Sequence, residues 1–115
     1  MSRAINCNQY ILHDSAILSL IYLYTKVIIV LMYYTYVLQN VDKSLYIGYS
    51  SNLKQRMCDH LNDRGGKITK SKVGWKLIYY EAYLDKNDAV GREKFLKGGS
   101  GRKYINKQLK HYLRN

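Results

Sequence analysis

Proline is absent from this 115-residue chain, so it has no proline-rich linker and no cis-prolyl turn. Tryptophan and phenylalanine occur once each. Cysteine occurs twice, as Cys7 and Cys58, too few for a disulfide scaffold. No CxxC pair or Cys/His cluster points to structural zinc. That usage fits a reducing compartment, and the expected location is the cytoplasm. Acidic side chains are scarce too: 8 stand against 19 lysines and arginines, a formal net charge of +11 and a pI near 9.7. No internal repeat or low-complexity tract is present, and the length is that of one domain. What remains is an ordinary globular mixture, 47% hydrophobic and 23% charged, which excludes a wholly disordered chain. Tyrosine is in excess at 13 residues, so most of the aromatic material carries a hydroxyl. A small domain this basic has acidic partners by default, either nucleic acid or an anionic membrane surface.

The charge is uneven. Residues 1–32 contain Arg3 and Lys26 against Asp14, whereas residues 33–115 carry 17 basic and 7 acidic side chains, a net of +10. From Ser15 to Leu38 there are 24 residues with one charge, Lys26. That run is long enough to span a bilayer, though a central lysine would be costly there. A secretory signal fits less well, because Arg3 is far from the apolar run and no small-x-small cleavage site follows it. Three readings stand: a membrane-anchoring helix, an extra element packed on the core, or translated sequence upstream of a natural start at Met32. The abrupt change at Met32 favours the third. The chain is therefore divided into an apolar extension, 1–31, and a domain, 32–115.

Within the domain, the β-branched and aromatic run 33–38 predicts a strand, 39–43 a polar turn, and 44–48 a second strand, together a hairpin. Gly48 is placed at the strand end, where a missing side chain admits a close neighbour. Ser50, Ser51 and Asn52 supply N-cap chemistry for a helix over about 53–63, with Leu53, Met57 and Leu61 as its buried stripe. Residues 63–66 end it, and a loop with Lys67, Lys70 and Lys72 follows. The longest strand is predicted over 75–84. Asp85 and Asn87 are N-cap candidates for a helix over about 87–97. Gly98 to Gly101 break the chain, and a last basic helix spans about 101–113. The order ββαβαα predicts an α+β fold, a three-stranded antiparallel sheet flanked by helices.

Three features could carry chemistry. Glu93 lies on or beside the apolar line of Ala89 and Leu96, where a carboxylate is costly unless paired or bound to a cation. An ion pair with Arg92, Lys94 or Lys97 would also satisfy it. Arg56 and His60 are i, i+4 neighbours at the edge of the first helix's stripe. Such an arginine can grip a phosphate in bidentate fashion, and such a histidine can move a proton near neutral pH. Tyr34, Tyr36, Tyr46 and Tyr49 form a tyrosine cluster, in which Tyr34 and Tyr36 share a strand face and Tyr46 can lie beside them. Together these parts suit phosphodiester cleavage: a proton acceptor, cations at the phosphate, and a single carboxylate suited to Mg²⁺. The basic surface would hold a polyanion by releasing its counterions.

The ordered set Tyr34-Thr35-Tyr36, Tyr46-Ile47-Gly48, Arg56 with His60, and Arg92-Glu93-Lys94 resembles the GIY-YIG nuclease superfamily. It is most similar to the small stand-alone bacterial proteins of that superfamily. The resemblance covers about 33–113 and leaves 1–31 unmatched. Tyr34 stands where the first motif has glycine, and Thr35 holds its middle position. The resemblance implies a metal-dependent DNA endonuclease or nickase. Tyr46 or Tyr36 would accept the proton of a water, Arg56 would hold the scissile phosphate, His60 would assist, and Glu93 would ligate Mg²⁺ or Mn²⁺. Lys54, Lys70, Lys72, Lys97, Arg102 and Lys103 are the expected nucleic-acid contacts, with DNA the expected partner and RNA the alternative. Two other classes compete. One is a nucleic-acid-binding module without catalysis, and the other is a basic protein associated with a membrane through residues 15–38.

Overall fold

The computed structural model describes residues 31–62 and 74–115, together with Ile17, Ser19 and Leu20. The rest of the extension, the helix end expected at 63–66, and Lys67, Lys70 and Lys72 lie outside the described residues. The elements are β1 Tyr33–Gln39, β2 Leu45–Ser50, α1 Leu53–Leu61, β3 Lys76–Tyr83, α2 Lys86–Lys97 and α3 Gly101–Gln108. This is the expected ββαβαα order and the expected α+β class. The strands lie in the order β2-β1-β3, and both pairings of β1 are antiparallel.

β1 is central because it carries the apolar centre of the sequence, and Thr35 through Asn40 are buried. Its side chains alternate between two faces. Thr35 and Val37 face α2 and α3: Thr35 Oγ1 donates to the Ala89 carbonyl oxygen at 2.6 Å, and Val37 packs with Leu96 and Ile105. Tyr36 faces the other way, toward α1, and Tyr34 and Leu38 share its face by alternation. The sheet thus separates the α2–α3 face, which holds the apolar core, from the α1 face, to which Tyr36 turns its hydroxyl.

Local chemistry sets the helices. The Asn52 side chain accepts from the Gln55 N–H and starts α1, and Asp85 does the same for α2 through Asn87. The expected α1 stripe is corrected at one position. Leu61 is 59% exposed, and His60 is buried in its place. The inward line runs Leu53, Arg56 and Met57, then His60, the i, i+3, i+4, i+7 spacing of one helix face. Gly101 presses α3 onto the end of α2, where an added Cβ would lie 1.7 Å from the Leu96 carbonyl oxygen. α3 ends at Gln108 rather than near 113. Leu109 and Leu113, in the turns that follow, still pack on the core.

Two hairpin expectations change. β2 runs on to Ser50, so Gly48 is inside the strand and not at its end. Tyr49 pairs with Thr35 in register, which puts it on the α2 face and outside the tyrosine cluster. Cys58 on α1 is disulfide-bonded, which removes cysteine usage as an argument for a reducing compartment. Residues 33–38, the end of the long apolar run, belong to β1. Among the described residues no helix is long and apolar enough to cross a membrane.

Candidate active site

Four of the expected residues converge on the α1 face of the sheet. Tyr36 is opposite Gly48 in the β1–β2 register. Its ring lies over that glycine so closely that a Cβ there would meet Tyr36 Cζ at 2.3 Å. The glycine therefore makes the slot in which the tyrosine ring rests. From that slot the Tyr36 hydroxyl reaches α1, where Arg56 Nε donates to Tyr36 Oη at 3.2 Å and His60 Nε2 lies 2.8 Å from the same oxygen. Tyr46, two residues before Gly48, packs its ring against His60 at 5.3 Å and against Tyr36 at 6.3 Å between centroids. The Tyr46 hydroxyl also bears electrostatically on Tyr36 and Arg56. Trp75, just before β3, closes the row with its ring 6.2 Å from that of Tyr46.

Burial sorts these groups. Tyr36 is fully buried and Tyr46 is half-buried. Burial pushes the Tyr36 hydroxyl up to about 12, with Tyr46 adding to the effect and Arg56 opposing it. Burial and the neighbouring Arg56 guanidinium push His60 down, against a smaller opposing effect of Asp59. Near neutral pH, Tyr36 is therefore a protonated donor and His60 a neutral imidazole. With His60 neutral, Tyr36 Oη–H donates to Nε2 while its oxygen accepts from Arg56. The bond to Tyr36 in turn raises Arg56, which stays a cation throughout.

Glu93 is not part of this hydrogen-bonded group. It sits on α2 between buried Ala89 and Leu96, and its Oε1 accepts from Lys97 Nζ at 2.7 Å. Of the alternatives open to it, the ion pair with Lys97 is the one formed. Lys97, Arg102 and Tyr46 line one cleft of about 500 Å³ between β2 and the α2–α3 junction. No group of three His, Cys, Asp or Glu residues able to hold a metal ion occurs among the described residues. A lone carboxylate fits Mg²⁺, which keeps most of its waters and takes its remaining ligands from substrate phosphates. Lys54 and Lys103 are exposed, and Arg102 NH2 donates to the Lys43 carbonyl oxygen at 3.5 Å. Lys70 and Lys72 lie outside the described residues.

Sequence reasoning missed a second network, on the α2 face. Arg92 grips Glu81 in bidentate fashion, Nε to Oε2 at 2.9 Å and NH2 to Oε1 at 3.1 Å. Tyr79 donates to the same carboxylate at 2.6 Å, and Tyr83 donates to its other oxygen. The guanidinium also lies over the rings of Tyr104, at 4.1 Å, and Phe95. Burial opposes ionisation of Glu81, but the Arg92, Tyr79 and Tyr83 hydrogen bonds outweigh it and hold the carboxyl below its usual range. The signal was present as Tyr79, Glu81 and Tyr83 at i, i+2, i+4, one face of a strand.

Residues 32–107 match the family model of the GIY-YIG catalytic domain. The chain is 36% identical over 83 residues to the UPF0213 protein YsiG of Lactococcus lactis subsp. lactis, a match covering 72% of this chain and 76% of that protein. It is 38% identical over 85 residues to a UPF0213 protein in the ldhD 5' region of Pediococcus acidilactici, covering 72% and 82%. The solution NMR structure of the UPF0213 protein BH0048 from Bacillus halodurans aligns with a TM-score of 0.43 at 29% identity, over 65% of this chain and 80% of that one. The matched segment spans both tyrosine motifs, the Arg56–His60 pair and Glu93, and the chain belongs to the GIY-YIG family, with a domain of nuclease type and UPF0213 proteins as its relatives.

Proposed function

We propose that the protein is a divalent-metal-dependent endonuclease that hydrolyses phosphodiester bonds in DNA. The observation that carries this reading is the hydrogen-bonded line Arg56–Tyr36–His60, with Tyr46 on its exposed side. Tyr46 is the half-buried hydroxyl and faces the substrate, whereas Tyr36 is sealed beneath it. Tyr46 takes a proton from the attacking water as its own proton passes to Tyr36, and the Tyr36 proton passes to His60 Nε2. Each hydroxyl ends as it began, and one proton has moved from water to a neutral histidine. The water oxygen bonds to phosphorus, the bond to the leaving oxygen breaks, and that oxygen takes up a proton from solvent. Arg56 holds the relay in line through Nε and offers its terminal nitrogens to the scissile phosphate. Glu93 would hold Mg²⁺ or Mn²⁺, whose charge would neutralise the phosphate oxygens.

Plasmid nicking with Mg²⁺ or Mn²⁺ tests the proposal. The wild type is expected to convert supercoiled DNA to open circles, with Glu93→Ala and Arg56→Ala each slower by about a hundredfold or more. Cleavage that survives both substitutions overturns it. Tight, salt-sensitive binding without cleavage in any DNA form would show a binding module instead.

A further inference from the structure

The cleft between β2 and the α2–α3 junction has an apolar floor that includes Ile47, Leu96 and Ile105. The charged side chains lining it are Lys97 and Arg102, and Tyr46 joins it to the active site. A polyanion therefore meets two cations and no carboxylate in its lining. Lys97 faces two ways. It lines the cleft, and its ammonium rests on Glu93 Oε1 at 2.7 Å. The pair is an i, i+4 contact in which the Lys97 side chain is 54% exposed and that of Glu93 only 19%. Such a pair is weak and easily exchanged for a better anion. A backbone phosphate offers that exchange, with Arg102 to hold its other oxygens. While Lys97 stays in place, the carboxylate best suited to a divalent cation is already neutralised.

Resting on the endonuclease reading above, we infer that this cleft is a subsite for a backbone phosphate flanking the scissile one. We infer also that Lys97 passes from Glu93 to that phosphate when nucleic acid binds, which uncovers the Glu93 carboxylate. Nucleic acid and metal then favour each other's binding, since each benefits from the departure of Lys97 from Glu93.

The test uses the full chain and its Glu93→Gln, Lys97→Met and Arg102→Met variants, plus the Glu93→Gln/Lys97→Met double variant. Fluorescence anisotropy measures the affinity for a labelled duplex oligonucleotide in EDTA, and electron paramagnetic resonance measures the binding of Mn²⁺ alone. Glu93→Gln is expected to tighten duplex binding roughly threefold by releasing Lys97, and to do so much less in the Lys97→Met background. Lys97→Met is expected to tighten Mn²⁺ binding by a similar factor, and Arg102→Met to weaken duplex binding while leaving Mn²⁺ unchanged. Equal effects of Glu93→Gln in both backgrounds, or duplex affinity indifferent to Arg102, overturn the inference. If the wild type nicks DNA and Glu93→Gln does not, the endonuclease reading survives that failure. If Glu93→Gln changes neither nicking nor Mn²⁺ binding, the reading itself fails, and the inference with it.

Discussion

At the scale of the residue, the site depends on a side chain that is missing. Gly48 lets the Tyr36 ring lie flat across β2 and bring its hydroxyl to Arg56 and His60. Gly48→Ala is expected to push the ring out of its slot at a stability cost of about 1–3 kcal/mol. Nicking is expected to fall far more steeply, on the order of a hundredfold, because displacement of roughly an ångström disrupts a proton relay. Nicking rates beside thermal melts separate the two effects. His60 gives a pH prediction with a definite sign. Its folded value lies below the ordinary value of about 6.5, so between the two the unfolded chain binds more protons. Its contribution to stability is complete above about pH 6.5 and is lost as pH falls through the folded value. Melts between about pH 5 and 7 are expected to show Tm rising with pH, with a shallower slope in His60→Gln. Nicking is expected to fall with pH over the same range, since protonated His60 cannot accept from Tyr36. The tyrosines, Arg56 and His60 were legible in the sequence, since i+2 on a strand and i+4 on a helix define shared faces. The exclusion of Tyr49 follows from the same alternation once Gly48 is placed inside the strand.

At the scale of the element, α2 is the part whose role the sequence showed least. Element types and order followed from periodicity and caps, because Asn52, Asp85 and Gly98 mark boundaries locally. What local pattern could not show is how α2 is attached. That depends on the β1–β3 register, which sets Glu81 opposite Thr35 and so on the α2 face. Arg92 then reaches Glu81, while the next residue, Glu93, turns to Lys97. The ion pair is mostly shielded, with side-chain exposures of 22% and 16%, and Glu81 is filled by three donors. Arg92→Met is expected to destabilise the fold by about 2 kcal/mol, because it leaves a half-buried carboxylate short of its charged partner. For a chain of this size that is a fall in Tm of roughly 10 °C. Arg92→Lys is expected to recover only part of the loss, since an ammonium cannot reproduce the two-pronged grip or the stacking on Tyr104. Paired calorimetric melts of the two variants check this, and full recovery by lysine would show that charge alone matters.

At the scale of the whole molecule, the paucity of acid acquires a location. Residues 33–115 carry a net of +10, and the extension contributes only Arg3 and Lys26 against Asp14. Binding to a duplex through such a surface is driven by counterion release, so the logarithm of affinity falls linearly with the logarithm of salt concentration. Each phosphate neutralised adds about 0.9 to the slope. A chain begun at Met32 is expected to keep the slope of the full chain, because it retains nearly all of the excess charge. Arg102→Met is expected to lower the slope by about 1. Lys97→Met is expected to lower it by less when metal is absent, because in the free protein that ammonium is already partly neutralised by Glu93. Anisotropy titrations at several salt concentrations give all three slopes. A slope that collapses when residues 1–31 are removed would transfer the binding charge to the extension, against the distribution of lysine and arginine along the chain. A slope untouched by Arg102→Met would place the phosphate track away from the cleft and leave α1, with exposed Lys54, as the competing surface.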